Sequence, residues 1–204
     1  MLCARKGRGP CLAVKGDNRY HAIMDARRCF AVCPSDIAVA LAALDGRVTI
    51  TGPDGERTIA VPDFFGTLSH ALEKDEMVTS VEVPKLAFRQ TRQTFLKFTL
   101  REPVDFAIVS VATVIMVKKG TCSDARIALG AVGPGPVRAR KAEEFLKGRA
   151  INEESAVEAA EHALAGARPL NMNAYKIEIA KTLVKRAILG IDDRKTRTWG
   201  YPCR

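Results

Sequence analysis

The order in which two hydrophobic periods follow one another constrains the fold of this chain more than any other feature. Three runs with strand character, Gln93 to Leu100, Ala107 to Val117 and Ala125 to Ala131, come first. Three runs at helical spacing follow, Arg140 to Lys147, Glu153 to Leu164 and Ala174 to Leu189, each stopped within two residues by Gly148, Gly166 or Gly190. Strands grouped ahead of helices are the pattern of an α+β protein; a doubly wound α/β sheet would need a crossover helix between its parallel strands. Lys118-Lys119-Gly120 is a short polar turn between two of the strand runs. The pattern therefore predicts an antiparallel three-stranded sheet over 92–131, covered by the three helices. In the last helix Ile177, Ala180, Val184 and Ile188 fall on one face, and Lys181, Lys185 and Arg186 sit toward the C-terminal end, where the helix dipole favours cations.

The first half is shorter in period. Pro34-Ser35-Asp36 opens a helix with Ile37, Ala40, Leu41 and Leu44 at helical spacing and Gly46 at its end. Ser35 or Asp36 is a good N-cap. Arg47 to Thr51 and Arg57 to Val61 read as a hairpin around Gly52-Pro53-Asp54-Gly55, and Met77 to Val83 alternates as a strand stopped by Pro84. Residues 1–30 are irregular, broken by Gly7, Gly9, Pro10 and Gly16. Two subdomains are expected, 1–88 and 89–190, with an extended tail over 191–204.

Charge narrows the function classes. The net charge is +9, and residues 1–30 carry seven basic and two acidic side chains while 185–204 carry six and two. A basic terminus can meet nucleic acid or an acidic partner, but no aromatic-rich RNA signature or recognition helix accompanies it, so nucleic acid is not the expected partner. The longest uncharged run, Phe106 to Val117, is twelve residues, short of the roughly 18–20 that cross a bilayer. With no basic-then-apolar stretch at the N-terminus, the expected compartment is the cytoplasm, where disulfides are rare. Cys3, Cys11, Cys29 and Cys33 crowd the first 33 residues. Four thiols so placed point to metal chemistry, but there is no C-x-x-C pair, and unrelated thiols explain the spacing as well. Phosphate-binding G-x-G-x-x-G and G-x-x-x-x-G-K-[ST] motifs and an H-E-x-x-H are absent, and no residue stands out as a nucleophile or general base.

Several segments, in order, resemble one family. Gly16-Asp17-Asn18-Arg19-Tyr20-His21-Ala22-Ile23, then Cys29-Phe30-Ala31-Val32-Cys33-Pro34-Ser35-Asp36, then Thr79-Ser80-Val81-Glu82-Val83-Pro84 are similar to the FAD-binding subunits of molybdenum hydroxylases. So are Phe95-Leu96-Lys97-Phe98 with Arg101 and Asp105-Phe106-Ala107, and Leu129-Gly130-Ala131-Val132-Gly133-Pro134-Gly135-Pro136-Val137-Arg138 with Ala142-Glu143. That family includes xanthine dehydrogenase, carbon monoxide dehydrogenase and 4-hydroxybenzoyl-CoA reductase. The resemblance implies that 1–88 is the second part of an FAD-binding domain and 89–190 a flavoprotein C-terminal subdomain. It implies a flavoprotein subunit that relays electrons from iron–sulfur centres through FAD to NAD or another acceptor. The partners implied are a molybdopterin-binding large subunit and a [2Fe–2S] small subunit.

Three FAD contacts are implied: Asp36 in the ribose region, Thr79 packing on the isoalloxazine, and Lys97 near the flavin ring, where a cation can favour the anionic reduced form. From the residues alone, Asp36 is equally an N-cap, Thr79 an ordinary strand residue and Lys97 an exposed strand lysine. The 4-hydroxybenzoyl-CoA reductase branch implies more. Cys3 and Cys11 keep the spacing of two ligands of a [4Fe–4S] cluster, and Cys29, seven residues before Asp36, matches a third. The remaining ligand would precede Met1, with Cys33 a possible substitute. Such subunits begin with two Gly-rich loops that hold the FAD pyrophosphate, and neither is in this sequence. The expectation is a truncated product, a fragment or half of a split subunit, with the N-terminal half as a further partner. Alone it is expected to hold FAD weakly or not at all and to be inactive. The alternative is an assembly module of the same fold.

Overall fold

The computed structural model describes residues 3–86, 91–101 and 104–191. The first helix, α1 (Asp36–Ala43), leads into a three-stranded antiparallel sheet of β1 (Arg47–Gly52), β2 (Gly55–Ala60) and β3 (Met77–Glu82), ordered β2-β1-β3. A second antiparallel sheet, ordered β4-β5-β6-β7, contains β4 (Thr91–Phe98), β5 (Val109–Lys118), β6 (Thr121–Gly130) and β7 (Val137–Arg138). Helices α2 (Arg140–Leu146), α3 (Glu153–Leu164) and α4 (Tyr175–Leu189) complete the described chain. Before α1 the described segment has only a short 3-10 turn at Leu12–Val14.

The α+β arrangement follows from what each strand must bury. Central β5 is covered on both faces. Val111 and Ile115 join the helices in the main core, while Ala112 and Val114 meet Val39, Ala42 and Ala43 of α1, with Ala128 of β6. Successive strand residues face opposite sides, so an uninterrupted apolar strand needs two covers. α1 also has two buried sides. Ala38 packs with Val48, Ile50 and Val61 beneath the first sheet. The layers are therefore sheet, α1, sheet, helices, and the alanines of α1 let the two sheets approach one another. Sequence periodicity placed Ile37 on the apolar stripe, yet it is 73% exposed. A helix between two sheets buries two flanks rather than one stripe.

Local chemistry sets the ends. Ser35, not Asp36, caps α1, accepting the Ala38 N–H at 3.1 Å. Its C-terminus closes with the Gly46 N–H on Leu41 O at 2.7 Å and Asp45 at φ 54. Asp45 holds the left-handed position that short polar side chains tolerate. In α3 Asn152 and Ser155 form a reciprocal capping box. The β5–β6 turn has both Lys119 and Gly120 at positive φ, the condition for a two-residue hairpin turn that follows strand twist. The three strands expected over 92–131 are present and antiparallel; the sheet gains a fourth, β7, two residues long, too brief to leave a period in the Gly/Pro-rich segment around it. The tail expected over 191–204 lies, after Ile191, outside the described residues, as does Cys203.

Candidate functional site

Two of the sequence-predicted site residues meet. Asp36 is the first residue of α1, and Lys97, in β4, lies opposite Ser110 of β5. Lys97 Nζ donates to Asp36 Oδ2 at 2.7 Å across 61 positions of sequence. The lysine is 21% and the aspartate 38% exposed in its side chain, so the pair is partly exposed rather than sealed in the core. The seat of α1 is set by Gly130. A Cβ there would fall 2.3 Å from both Ser110 Oγ and Val39 Cγ2, so only glycine lets the helix settle this deep against β5 and β6.

The second carboxylate oxygen is the informative atom. Asp36 Oδ1 is buried and has no hydrogen-bond partner among the described residues. Buried acceptors are normally paired, and a carboxylate accepts only. The complement it lacks is therefore an O–H or N–H donor. Lys97 has three donors, one of them engaged on Asp36. A hydroxyl acceptor site beside a cation fits a polyol or ribose hydroxyl next to a polar carbonyl or an anion.

Thr79 is placed differently. Thr49 pairs with Ser80 and Ile50 with Val78, which leaves Thr79 as the extra residue of a β-bulge. Its Oγ1 lies 2.9 Å from Thr51 Oγ1 and 3.5 Å from Thr49 O, so its hydrogen bonds stay within its own sheet. Bulges redirect side chains and often border binding sites, and β3 is exposed along its whole length. The glycine-rich segment 130–136, in contrast, is no phosphate cradle. A Cβ at Gly135 would lie 2.4 Å from Phe65 Cβ, and one at Gly133 would lie 3.0 Å from Val137 Cγ2 and 3.1 Å from Met24 O. That space is filled by the protein itself. Its carbonyls are used for docking: Val132 O accepts from the Ile23 and Met24 N–H groups at 2.8 and 2.9 Å, and Gly133 O from Cys33 N–H at 3.0 Å.

The structure does not gather the three predicted metal-site cysteines. Among the described residues no group of three or more His, Cys, Asp or Glu side chains is placed to hold a metal ion. Cys29 is 6% exposed, and its sulfur accepts the Ala31 N–H at 3.4 Å. Cys3 and Cys11 are half-buried and free. As they sit, these residues do not fit a [4Fe–4S] cluster, whose thiolates must converge on one compact site.

Sequence reasoning missed a buried lysine. Lys176 is 0% exposed, and its Nζ reaches Ala131 O at 2.6 Å, His21 O at 3.0 Å and Tyr20 O at 3.4 Å. Burial pushes its pKa down to about 8. The available signal was position: Lys176 lies four residues before Ala180, on the stripe that α4 buries through Leu183, Val184, Ala187 and Ile188.

Residues 23–86 match the model of the FAD-binding domain in molybdopterin dehydrogenase, and residues 94–191 that of the CO dehydrogenase flavoprotein C-terminal domain. The chain belongs to the FAD-binding subunit family of the molybdenum hydroxylases. It is 32% identical over 184 residues to the aldehyde oxidoreductase FAD-binding subunit of Escherichia coli, covering 84% of this chain and 52% of that one. It is 30% identical over 158 residues to the glyceraldehyde dehydrogenase medium chain of Sulfolobus acidocaldarius, 75% of this chain and 55% of that one. Quinoline 2-oxidoreductase from Pseudomonas putida superposes with a TM-score of 0.70 at 28% identity, over 87% of this chain and 59% of that one. Carbon monoxide dehydrogenase from Hydrogenophaga pseudoflava superposes at 0.68 and 32% identity, over 76% and 58%. This member of the family thus spans about half the length of the curated relatives it matches. Among its described residues no helix is long and apolar enough to cross a membrane.

Proposed function

We propose that this chain supplies one wall of an FAD site in a molybdenum hydroxylase, with Asp36, Lys97 and Thr79 facing the cofactor. The observation that carries the reading is the buried Asp36 Oδ1, without a partner among the described residues and inside the segment that matches the FAD-binding domain, beside the ammonium of Lys97 from the segment that matches the C-terminal domain. Bound FAD would supply the redox chemistry, taking electrons from iron–sulfur centres and passing them to NAD or another acceptor. The chain's own residues do the binding and orienting. Asp36 accepts a ribose or ribityl hydroxyl, Lys97 offers its remaining donors to a polar edge, and Thr79 flanks the ring from the bulge in β3. The partners in this reading are a molybdopterin-binding large subunit and a [2Fe–2S] small subunit.

A second reading has its own observation. The Gly130–Pro136 segment is filled by Phe65, Val137 and Met24 rather than open to a phosphate, and backbone N–H cradles supply much of the affinity for a pyrophosphate. An assembly module of the same fold would show that feature too. FAD titration of the purified chain, alone and with a polypeptide bearing the Gly-rich loops, separates the two. The flavin reading expects binding weaker than about 1 µM alone and clearly tighter binding with the added half. No binding in either arm leaves the assembly module.

A further inference from the structure

We infer that Lys97 is a positioning residue: it acts on the cofactor through Asp36, holding the carboxylate so that Oδ1 meets a ligand hydroxyl, and the two side chains bind as one unit. The inference rests on the flavin reading above. It departs from the view of Lys97 as a free cation acting on the flavin ring by itself.

Geometry carries it. One oxygen of Asp36 is engaged by Lys97 at 2.7 Å and the other is buried without a partner among the described residues. A carboxylate at the first position of a helix has a local alternative, which is to turn back onto the N–H groups of its own first turn. Here Ser35 already takes the Ala38 N–H, and Lys97 draws Asp36 away from the helix. Both backbones are fixed. Lys97 lies within the β4–β5 ladder, and α1 rests through its Val39 on Gly130, beside Ser110. The lone acceptor therefore points one way before a ligand arrives. Such preorganisation lowers the ordering cost of binding, and a hydroxyl donated to Oδ1 satisfies an atom otherwise left buried and unpaired. The charges also compensate each other at contact distance, so Lys97 faces the site as half of a neutral pair.

The test is FAD titration of the full 204-residue chain into the millimolar range, followed by 1H–15N NMR at the Asp36 and Ile37 amides. Asp36→Asn, Lys97→Met, the double variant and Lys97→Arg are compared. Each single loss should weaken FAD about tenfold, in line with a hydrogen bond to a charged group. The double variant should be no weaker than about twofold beyond either single one, and Lys97→Arg should recover most of the affinity, because a guanidinium can hold the same oxygen. Lumiflavin, which lacks the hydroxyl chain, should be indifferent to all four, which a general loss of structure would not allow. Lys97→Met binding FAD as tightly as the unaltered chain, or losses that simply multiply, would overturn the inference and leave the flavin reading standing. No FAD-dependent shift in the unaltered chain, either alone or with the polypeptide bearing the Gly-rich loops, would overturn both.

Discussion

Lys176 holds Ala131 by its carbonyl, Nζ to O at 2.6 Å, with the alanine at φ 59. The same ammonium holds His21 O, so one side chain of α4 pins both the segment that leads to the cysteines and the residue that opens the loop after β6. Lys176→Met should cost about 2–3 kcal/mol at pH 7, because two or three buried carbonyls lose their donor. It should also change the pH profile. The ordinary lysine value is 10.5 and the native one about 8. Between them the unfolded chain binds a proton that the native chain does not, so stability rises as pH climbs from about 8 to 10.5. Urea midpoints across that range should show the rise in the natural chain and lose Lys176's part of it in Lys176→Met.

Gly130→Ala tests the seat of α1. The added methyl meets Ser110 Oγ and Val39 Cγ2 at 2.3 Å, closer than atoms can sit, so the helix must back away from β5 and β6. Overpacking of this kind costs about 1–3 kcal/mol. The signature is positional as well as energetic: backbone amide shifts should concentrate at Asp36, Val39 and Lys97, while those of α3 stay in place. Uniform shifts, or none, would show that Gly130 does not set the helix.

Arg138 joins the two sheet layers through a buried hub. It pairs with Glu143 through two hydrogen bonds of 2.7 and 3.0 Å and also donates to Ala42 O at 2.9 Å and Asp45 Oδ1 at 2.6 Å, at the end of α1. Glu143 also accepts the Ile127 N–H at 2.8 Å. Arg138→Ala leaves that buried carboxylate with the exposed Arg140, at 3.5 Å, as its remaining cation, a loss of up to about 3–5 kcal/mol. Adding Glu143→Gln removes the stranded charge yet keeps an acceptor for Ile127, so the double variant should be more stable than Arg138→Ala alone. Chemical denaturation of the four proteins measures the coupling.

The sequence made some of this legible and hid the rest for physical reasons. The apolar run through 107–117 announced a strand, and the polar turn at Lys118-Lys119-Gly120 announced its antiparallel partner. Strands before helices were enough for the α+β class. Asp36, Thr79 and Lys97 were marked by their place in family segments. What no local pattern could give was the Asp36–Lys97 pairing, which depends on how α1 lies across β5 and β6 rather than on any spacing within 61 residues. Lys176 was hidden by its chemistry: on a helix that also carries Lys181, Lys185 and Arg186, one more lysine reads as surface. Only its alignment with Ala180 and Val184 distinguished it. The helix stripe of α1 misled for the opposite reason, since Ile37 fits the period of a face that two sheets do not use.

The cysteines give the last prediction. Thiol reactivity follows thiolate character and exposure, and the described thiols differ in both. The backbone N–H groups of Arg5 and Lys6 at the Cys3 sulfur draw its thiol below the usual range, and the residue is half-buried. Cys29 is 6% exposed and Cys122 0%, with burial pushing the Cys122 thiol up. Iodoacetamide labelling at pH 7, read by peptide mass spectrometry, should therefore modify Cys3 fastest and leave Cys29 and Cys122 protected until the chain is unfolded. Anaerobic treatment with iron and sulfide should not alter that order in this chain, because Cys3, Cys11 and Cys29 do not converge on one site. Protection of those three together, with a cluster signal in EPR, would mean that the N-terminal segment closes into a different arrangement. It would then restore the [4Fe–4S] ligand set that their spacing resembles.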